Sequence, residues 1–476
     1  MNKCLVSLLI VIFFAGCTVG PKYTSPEIDI PCNWCSPLSN GLSEENPDCF
    51  VWWEALQDPV LNSLIEQAYE NNLDLSIAVT RLLAARLERK GKCAQLYPRI
   101  DGSATCGHLY YNKDLLVNDI LGGALTPDQE RAVRRNVGFF EIGFDAEWEI
   151  DLFGVTTHEI NSLKAKIQSA EETFHDVWVT LSAEVARNYI ELRSLQHRLL
   201  VTEKNMRAQK EIVKITEELM ETGFTSLIDL RQAEEQAHTL KATIPMLQFA
   251  IDKTIHVLST LLGYEPCELY TELNCFSPLP SLPCDKPVGI PSDLLRRRPD
   301  IRRAERNLAS AAELIGSAVA SYFPRFSLTG FLGDISADAG SLFNAASATW
   351  FIAPQFLLPI FNSRLIEQDI EFNKIKTQEA FYEYRKVVLG ALEETENALA
   401  AYHYESLRNE SLLEAQVLDK EAYDLTLDLY EKGLKDYLSV LVLSKTHFAN
   451  EDAFIQSQAA LLINYVSLYK ALGGAW

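Results

Sequence analysis

The most regular chemistry in the sequence is a row of carboxylates. Glu141, Asp145, Glu147, Glu149 and Asp151 stand at odd positions, while Phe140, Ile142, Phe144, Ala146, Trp148, Ile150 and Leu152 stand at the even ones. Strand side chains alternate between faces, so this segment has one oily face and one anionic face. A soluble sheet accounts for such a pattern. Five acids backed by a Trp-bearing face fit better with a barrel strand between lipid and a wet lumen. Repeated around a closed barrel, these charges either favour cations or form a polar wall without selectivity.

Cysteine supplies the second chemistry. Lys3 precedes an apolar run, Leu5 to Ala15, too short to span a bilayer and flanked like a secretory signal. Its end, Phe14-Ala15-Gly16-Cys17, reads as a bacterial lipoprotein processing site that leaves an acylated Cys17 as the mature N-terminus. Thr18 rather than aspartate follows, which implies sorting to the outer membrane. Past Cys4 and Cys17, the cysteines fall into three groups: Cys32, Cys35 and Cys49; Cys93 and Cys106; Cys267, Cys275 and Cys284. In an exported chain the first and third groups are predicted to cross-link.

Other chemistry is missing. There is no Gly-x-Ser-x-Gly, P-loop, Gly-x-Gly-x-x-Gly or His-Glu-x-x-His, and His158-Glu159 lacks its second histidine. No enzyme activity, cofactor or metal site is expected. The net charge of −22 excludes nucleic acid as a partner.

The elements that position these residues come twice. Tyr97-Pro98-Arg99-Ile100 recurs as Phe323-Pro324-Arg325-Phe326, and Asn72-Leu73-Asp74-Leu75 as Arg298-Pro299-Asp300-Ile301, each 226 residues on. Gly223-Phe224-Thr225 returns as Gly433-Leu434-Lys435, and Leu262-Gly263 as Leu472-Gly473, each 210 on. Duplication on this scale points to a symmetric wall. Five segments follow: a signal peptide (1–16), an extended lipidated segment (17–60), repeat 1 (61–264), a linker (265–290) and repeat 2 (291–476). Each repeat reads as helix, two strands and a long helical hairpin.

Helical periodicity runs from Leu61 to about Leu96, where Pro98 ends it. The long helices span about Val155–Thr222 and Ser363–Lys432, on the order of 100 Å each at 1.5 Å per residue. Ile160, Leu163, Ile167, Ala170, Phe174, Val177 and Leu181 step as a coiled-coil seam. Gly223 and Gly433 stop these helices, and Pro245 should kink the first return. In the second copy, Trp350, Ile352, Phe356, Leu358 and Ile360 share a face, with Pro354 and Pro359 marking an edge or an end.

Cys17-Thr-Val-Gly-Pro-Lys-Tyr23, Trp52-Trp53, Trp148-Glu-Ile-Asp-Leu-Phe-Gly154 and Arg297-Arg298-Pro299-Asp300-Ile301 resemble signature stretches of the TolC-like outer membrane factors, in their lipoprotein branch. The resemblance covers the chain from Cys17 onward. It implies an α+β membrane protein: a homotrimer sharing a twelve-stranded outer-membrane β-barrel, four strands per chain, continuous with a periplasmic helical tunnel and an equatorial collar. It also implies a periplasmic adaptor, an inner-membrane pump of the RND type, and efflux of small molecules. On that resemblance, the tips Gly223, Phe224, Thr225 and Gly433, Leu434, Lys435 would contact the adaptor, although a plain helix stop also accounts for the glycines. The second hairpin would carry the periplasmic gate. Relatives often place aspartates nine and sometimes six residues after the tip glycine; here Val442 and Ser439 stand there, with Leu438 and Asp436 nearby. A mainly apolar constriction from Leu438 and Val442 is expected. A pore-less lipid-anchored spacer and a type I protein secretion duct are the alternatives, and only a channel needs a lipid-facing sheet.

Overall fold

The computed structural model describes residues 18–38, 41–45, 51–110 and 136–474. The signal segment, Cys17, Cys49 and the glycine pair at 122–123 lie outside the described residues. The chain divides into two compact units. One is built from Met1–Ser25, Ala84–Ile167 and Arg306–Phe381, and the other from Pro26–Leu83, Gln168–Glu305 and Tyr382–Trp476. Among the described residues no helix is long and apolar enough to cross a membrane.

The duplication holds in the length of one strand and three helices of each repeat, while β3 (Asn136–Ile150) has 15 residues and its counterpart β6 (Ala348–Leu357) has 10. Helix α2 (Leu73–Ala94) and its counterpart α5 (Pro299–Ala320) both have 22 residues. The long helices α3 (Val155–Glu221) and α6 (Leu365–Glu431) both have 67, and the returns α4 (Leu227–Leu261) and α7 (Tyr437–Ala471) both have 35. Strands β2 (Arg99–Tyr110) and β5 (Arg325–Ser336) both have 12. α4 runs on through Pro245.

The single helix expected from Leu61 to Leu96 is in fact two. α1 (Pro59–Asn71) ends at Asn72, whose ψ of 132° is extended, and α2 begins at Leu73. Periodicity missed the break because Asn72 is a polar position on either reading. Its side chain makes the break stable: Oδ1 accepts from Leu75 N at 3.0 Å, while Nδ2 donates to Leu261 O, at the end of α4, at 2.8 Å. Arg298 does the same in repeat 2, where Nη1 donates to Ala471 O at the end of α7 at 2.8 Å. Burial works against the Arg298 charge, but Asp300 and Glu394, at 2.7 and 2.8 Å, carry its pKa above the ordinary guanidinium value. The oily positions of α1, Leu61, Leu64, Ile65 and Ala68, are fully buried. Trp52 is buried too and stacks edge-on with Trp53 and Tyr465, its carbonyl taking the Tyr465 hydroxyl at 3.0 Å.

In the first unit, β2, β3 (Asn136–Ile150), β5 and β6 (Ala348–Leu357) form one antiparallel sheet in that order. β6 lies at the border, where Pro354 can sit without removing a ladder bond. Leu358 and Ile360, expected on its face, lie past its end.

The expected disulfides are absent among the described residues: Cys32, Cys35, Cys267, Cys275 and Cys284 are exposed free thiols. The N-terminal segment is tied to the linker by backbone bonds instead. β1 (Leu42–Ser43) pairs in parallel with β4 (Lys286–Pro287), with Lys286 N on Gly41 O at 2.9 Å and Val288 N on Ser43 O at 2.8 Å. Trp34 Nε1 adds a bond to Gly289 O at 2.9 Å. Cys35 N and Ser36 N both donate to the Glu396 carboxylate, at 2.7 and 3.0 Å.

Asn72→Ala is expected to cost about 1–2 kcal/mol, the value of a helix cap with its hydrogen bond. Arg298→Ala should cost more, because it leaves the Asp300 carboxylate part-buried without its guanidinium partner. Thermal melting in detergent checks the order, and equal losses would contradict the latch.

Candidate functional site

The strand register sorts the sheet into two faces. Phe144 stands opposite Leu332, and Leu332 opposite Trp350; Trp148, Leu328 and Pro354 form another row; Ile150, Phe326 and Phe356 a third. Because directly opposed residues share a face, the even positions of β3 from Phe144 to Ile150 extend into one apolar surface across three strands, with Ile100 opposite Ala146 adding β2. Asp334 opposite Ile142 and Ser336 opposite Phe140 mark its polar limit. At its margin, Trp148 Nε1 is satisfied by Leu96 O at 2.9 Å.

On the opposite face Glu141, Asp145, Glu147 and Glu149 all lie on β3, as expected. Asp101 faces Asp145, and Arg99 faces Glu147. Ser103 Oγ donates to Asp145 at 2.5 Å, and Arg99 binds Asp101 at 2.7 Å. Asp151 is a correction. It lies past the end of β3 and accepts from Thr157 N at 2.6 Å and Thr157 Oγ1 at 2.7 Å, so its carboxylate steadies the first turn of α3. In the second hairpin the same face has no acids at the matching rows. Phe331 faces Phe351 there, the rings stacked 6.1 Å apart.

The two tips share one backbone solution. Gly223 and Gly433 have φ of +79° and +68°. Phe224 N bonds Leu219 O at 2.8 Å and Leu434 N bonds Leu429 O at 2.9 Å, the six-to-one closure of a glycine-ended helix. Phe224 and Leu434 are both exposed. Ser226 and Asp229 form a capping box at the start of α4, joined by Thr225 Oγ1 on Asp229 at 2.8 Å. The second tip has the pair reversed, with Asp436 at the cap position accepting from Ser439 Oγ. Burial tends to raise the Asp229 pKa, but bonds from Ser226 and Thr225 hold it below the usual carboxylate range. The Ser439 bond does the same for Asp436. Lys435 stands between this tip glycine and Asp436.

Both hairpin ends meet in one apolar cluster: Ile212 of α3, Ala233 of α4, Tyr430 of α6, and Tyr437, Val440 and Leu441 of α7. Thr216 Oγ1 bonds Tyr430 OH at 2.9 Å within it. Burial pushes the Tyr437 phenol up to about 12, so it stays neutral. With Tyr437, Val440 and Leu441 turned into this cluster, Leu438 and Val442, one helical turn apart, are left 57% and 55% exposed.

Sequence reasoning missed two buried His–carboxylate pairs. His158 Nδ1 lies 2.8 Å from Glu313, and His447 Nδ1 lies 3.0 Å from Asp419 with its ring stacked on Tyr423. Neither carboxylate is near its histidine in sequence, so only the helix pairing reveals them.

The family model described as outer membrane efflux protein matches residues 64–264 and 290–474. The chain belongs to the outer membrane efflux protein family. Among its relatives, the solvent efflux pump outer membrane protein SrpC of Pseudomonas putida is 29% identical over 473 residues, covering 98% of this chain and 97% of SrpC. The cation efflux system protein CusC of Escherichia coli O6:H1 is 28% identical over 484 residues, all of both chains. Among solved structures, the outer-membrane channel OprN superposes with a TM-score of 0.86 at 31% identity, covering 97% of this chain and 100% of OprN. This outer membrane efflux protein is therefore a channel of the outer membrane that extends into the periplasm. Its two match blocks flank the linker that β4 ties to the N-terminal segment.

Gly223→Ala should cost about 1 kcal/mol from its left-handed backbone alone, since a Cβ there meets nothing within 4 Å. Gly263→Ala should cost more, because its Cβ would lie 2.4 Å from Asn71 O. Melting temperatures that fall equally would contradict the close approach. Because the folded pKa of Asp229 is depressed, its contribution is present above about 3.9 and lost as pH falls through the folded pKa. Wild type should thus lose its advantage over Asp229→Asn in acid, as read by amide exchange at the first tip.

Proposed function

We propose that this outer membrane efflux protein is the passive exit duct of a tripartite pump, working as a homotrimer that shares one twelve-stranded barrel. The sheet carries the reading: one apolar face in register, and two strands, β2 and β6, each with an edge unpaired among the described residues. Each unpaired backbone group in lipid costs several kcal/mol, and four strands cannot close a barrel alone, so several chains must share one. A spacer without a pore needs no such sheet.

In this reading the apolar face meets acyl chains, while Glu141, Asp145, Glu147 and Glu149 look into the common bore. The exposed Phe224 and Leu434 beside the tip glycines, with Thr225 and Lys435, meet a periplasmic adaptor. Leu438 and Val442 narrow the entrance as an apolar constriction, with the Asp436–Ser439 pair beside it. Energy comes from an inner-membrane pump of the RND type, and acylated Cys17 adds a lipid anchor. The cargo is small and toxic, the class to which the solvents named for SrpC belong.

Detergent-purified protein should run as a heat-resistant trimer and conduct in planar bilayers. Val442→Asp should strengthen cation block and change conductance; unchanged recordings would contradict the apolar constriction. Phe224→Asp with Leu434→Asp should reduce co-purification of the adaptor while leaving trimers intact.

A further inference from the structure

A cavity of about 450 Å³ lies where the linker crosses α3, α6 and α7, wholly within the second compact unit. That volume is in the range of small-molecule sites. Phe276, Pro278 and Pro280 of the linker form one wall, and Leu461 and Leu462 of α7 another.

The linker is held at both ends of this wall. From α3, Arg193 Nη1 donates to Cys275 O at 2.8 Å and Gln196 Nε2 to Leu273 O at 2.6 Å. At the far end the Tyr469 hydroxyl of α7 donates to Pro287 O at 3.1 Å. Between these clamps Pro278, Pro280 and Pro283 fix their backbone φ. A strap that is stiff along its length and pinned at its ends resists collapse, so the space beside it is preformed.

The lining decides what fits. No lining residue carries a fixed charge, in a chain of which 23% is charged. Burial holds the His197 pKa below its ordinary value, against the opposing pull of Glu451, so the imidazole is neutral at neutral pH. A carboxylate or an ammonium group would find no counter-charge on these walls, and desolvating it unpaired is costly. The polar groups that are present have hydrogen-bonding capacity to spare. Among the described residues the Gln458 amide and the His197 imidazole make no hydrogen bond, while Asn409 gives only its Nδ2, to Ser457 Oγ at 3.2 Å. All three side chains are half-buried. Phe276 and His197 meet edge to face, centroids 6.1 Å apart, a geometry that a third ring can extend.

We propose that this cavity binds a small uncharged phenol, its ring against the Phe276 and proline wall and its hydroxyl among His197, Asn409 and Gln458. The ring displaces water from the apolar wall. The hydroxyl can donate to Asn409 Oδ1 and accept from the Gln458 amide at once. Such an occupant touches α3, α6, α7 and the linker together, so it braces the two hairpins where the linker crosses them. The site uses neither the sheet nor the hairpin tips, so its failure leaves the duct reading standing.

The test is fluorine NMR of para-fluorophenol titrated into the full-length protein in detergent, with empty micelles as the blank. A saturable, protein-dependent shift is expected. Leu461→Trp should weaken binding about tenfold or more by filling the cavity. Gln458→Leu should weaken para-fluorophenol about tenfold and leave fluorobenzene unchanged, the mark of a lost hydrogen bond to the hydroxyl. The absence of a saturable shift beyond that of empty micelles overturns the site, as does wild-type affinity in both variants. Binding of para-fluorobenzoate as tight as that of the phenol overturns the uncharged class.

Discussion

A peptide group without a hydrogen-bond partner cannot remain in hydrocarbon, and the rest of the architecture depends on that constraint. The sheet has an apolar face suited to lipid and two borders, β2 and β6, unpaired among the described residues, that are not. A water-soluble protein could cover such borders with a loop or charge them. Here β6 carries a run of large apolar residues and no charged side chain, so closure with further strands is the solution its chemistry allows.

Outside the sheet, duplication is expressed as equal element lengths and as backbone geometry more than as side-chain identity. The junction before each second helix is latched to the end of the returning hairpin, by an amide at Asn72 and by a guanidinium at Arg298. What the site requires is a donor aimed at the last carbonyl of α4 or α7, and either group provides one. The tips behave alike. Ser226 with Asp229 and Asp436 with Ser439 are the same pair in reverse order. Positive φ at Gly223 and Gly433 is fixed in both, since the backbone reversal tolerates little else.

Chemistry diverges where the two copies face different surroundings. The first hairpin carries the carboxylates on the face opposite its apolar rows, and the second carries stacked Phe331 and Phe351 there. Burial diverges likewise: α5 sits on α3 through serines and a His–Glu pair, whereas α2 and α6 leave apolar faces bare.

The sequence alone carried everything that local periodicity and backbone stereochemistry encode. The alternation from Phe140 to Ile150, the glycine stops at 223 and 433, the lengths of the long helices and the order of the repeats were all legible. Each depends on residues within a turn or two of one another. Tertiary structure decided what depends on partners far along the chain. Asn72 breaks a helix because Leu261 waits for its amide, and Asp151 serves α3 because the strand ends before it. Among the described residues the cysteines are unpaired, and β1 with β4 holds the segments that disulfides were expected to join. His158 and Glu313, 155 residues apart, become neighbours only when α5 lies along α3. Local pattern fixes which face of an element is oily; only packing fixes what that face meets.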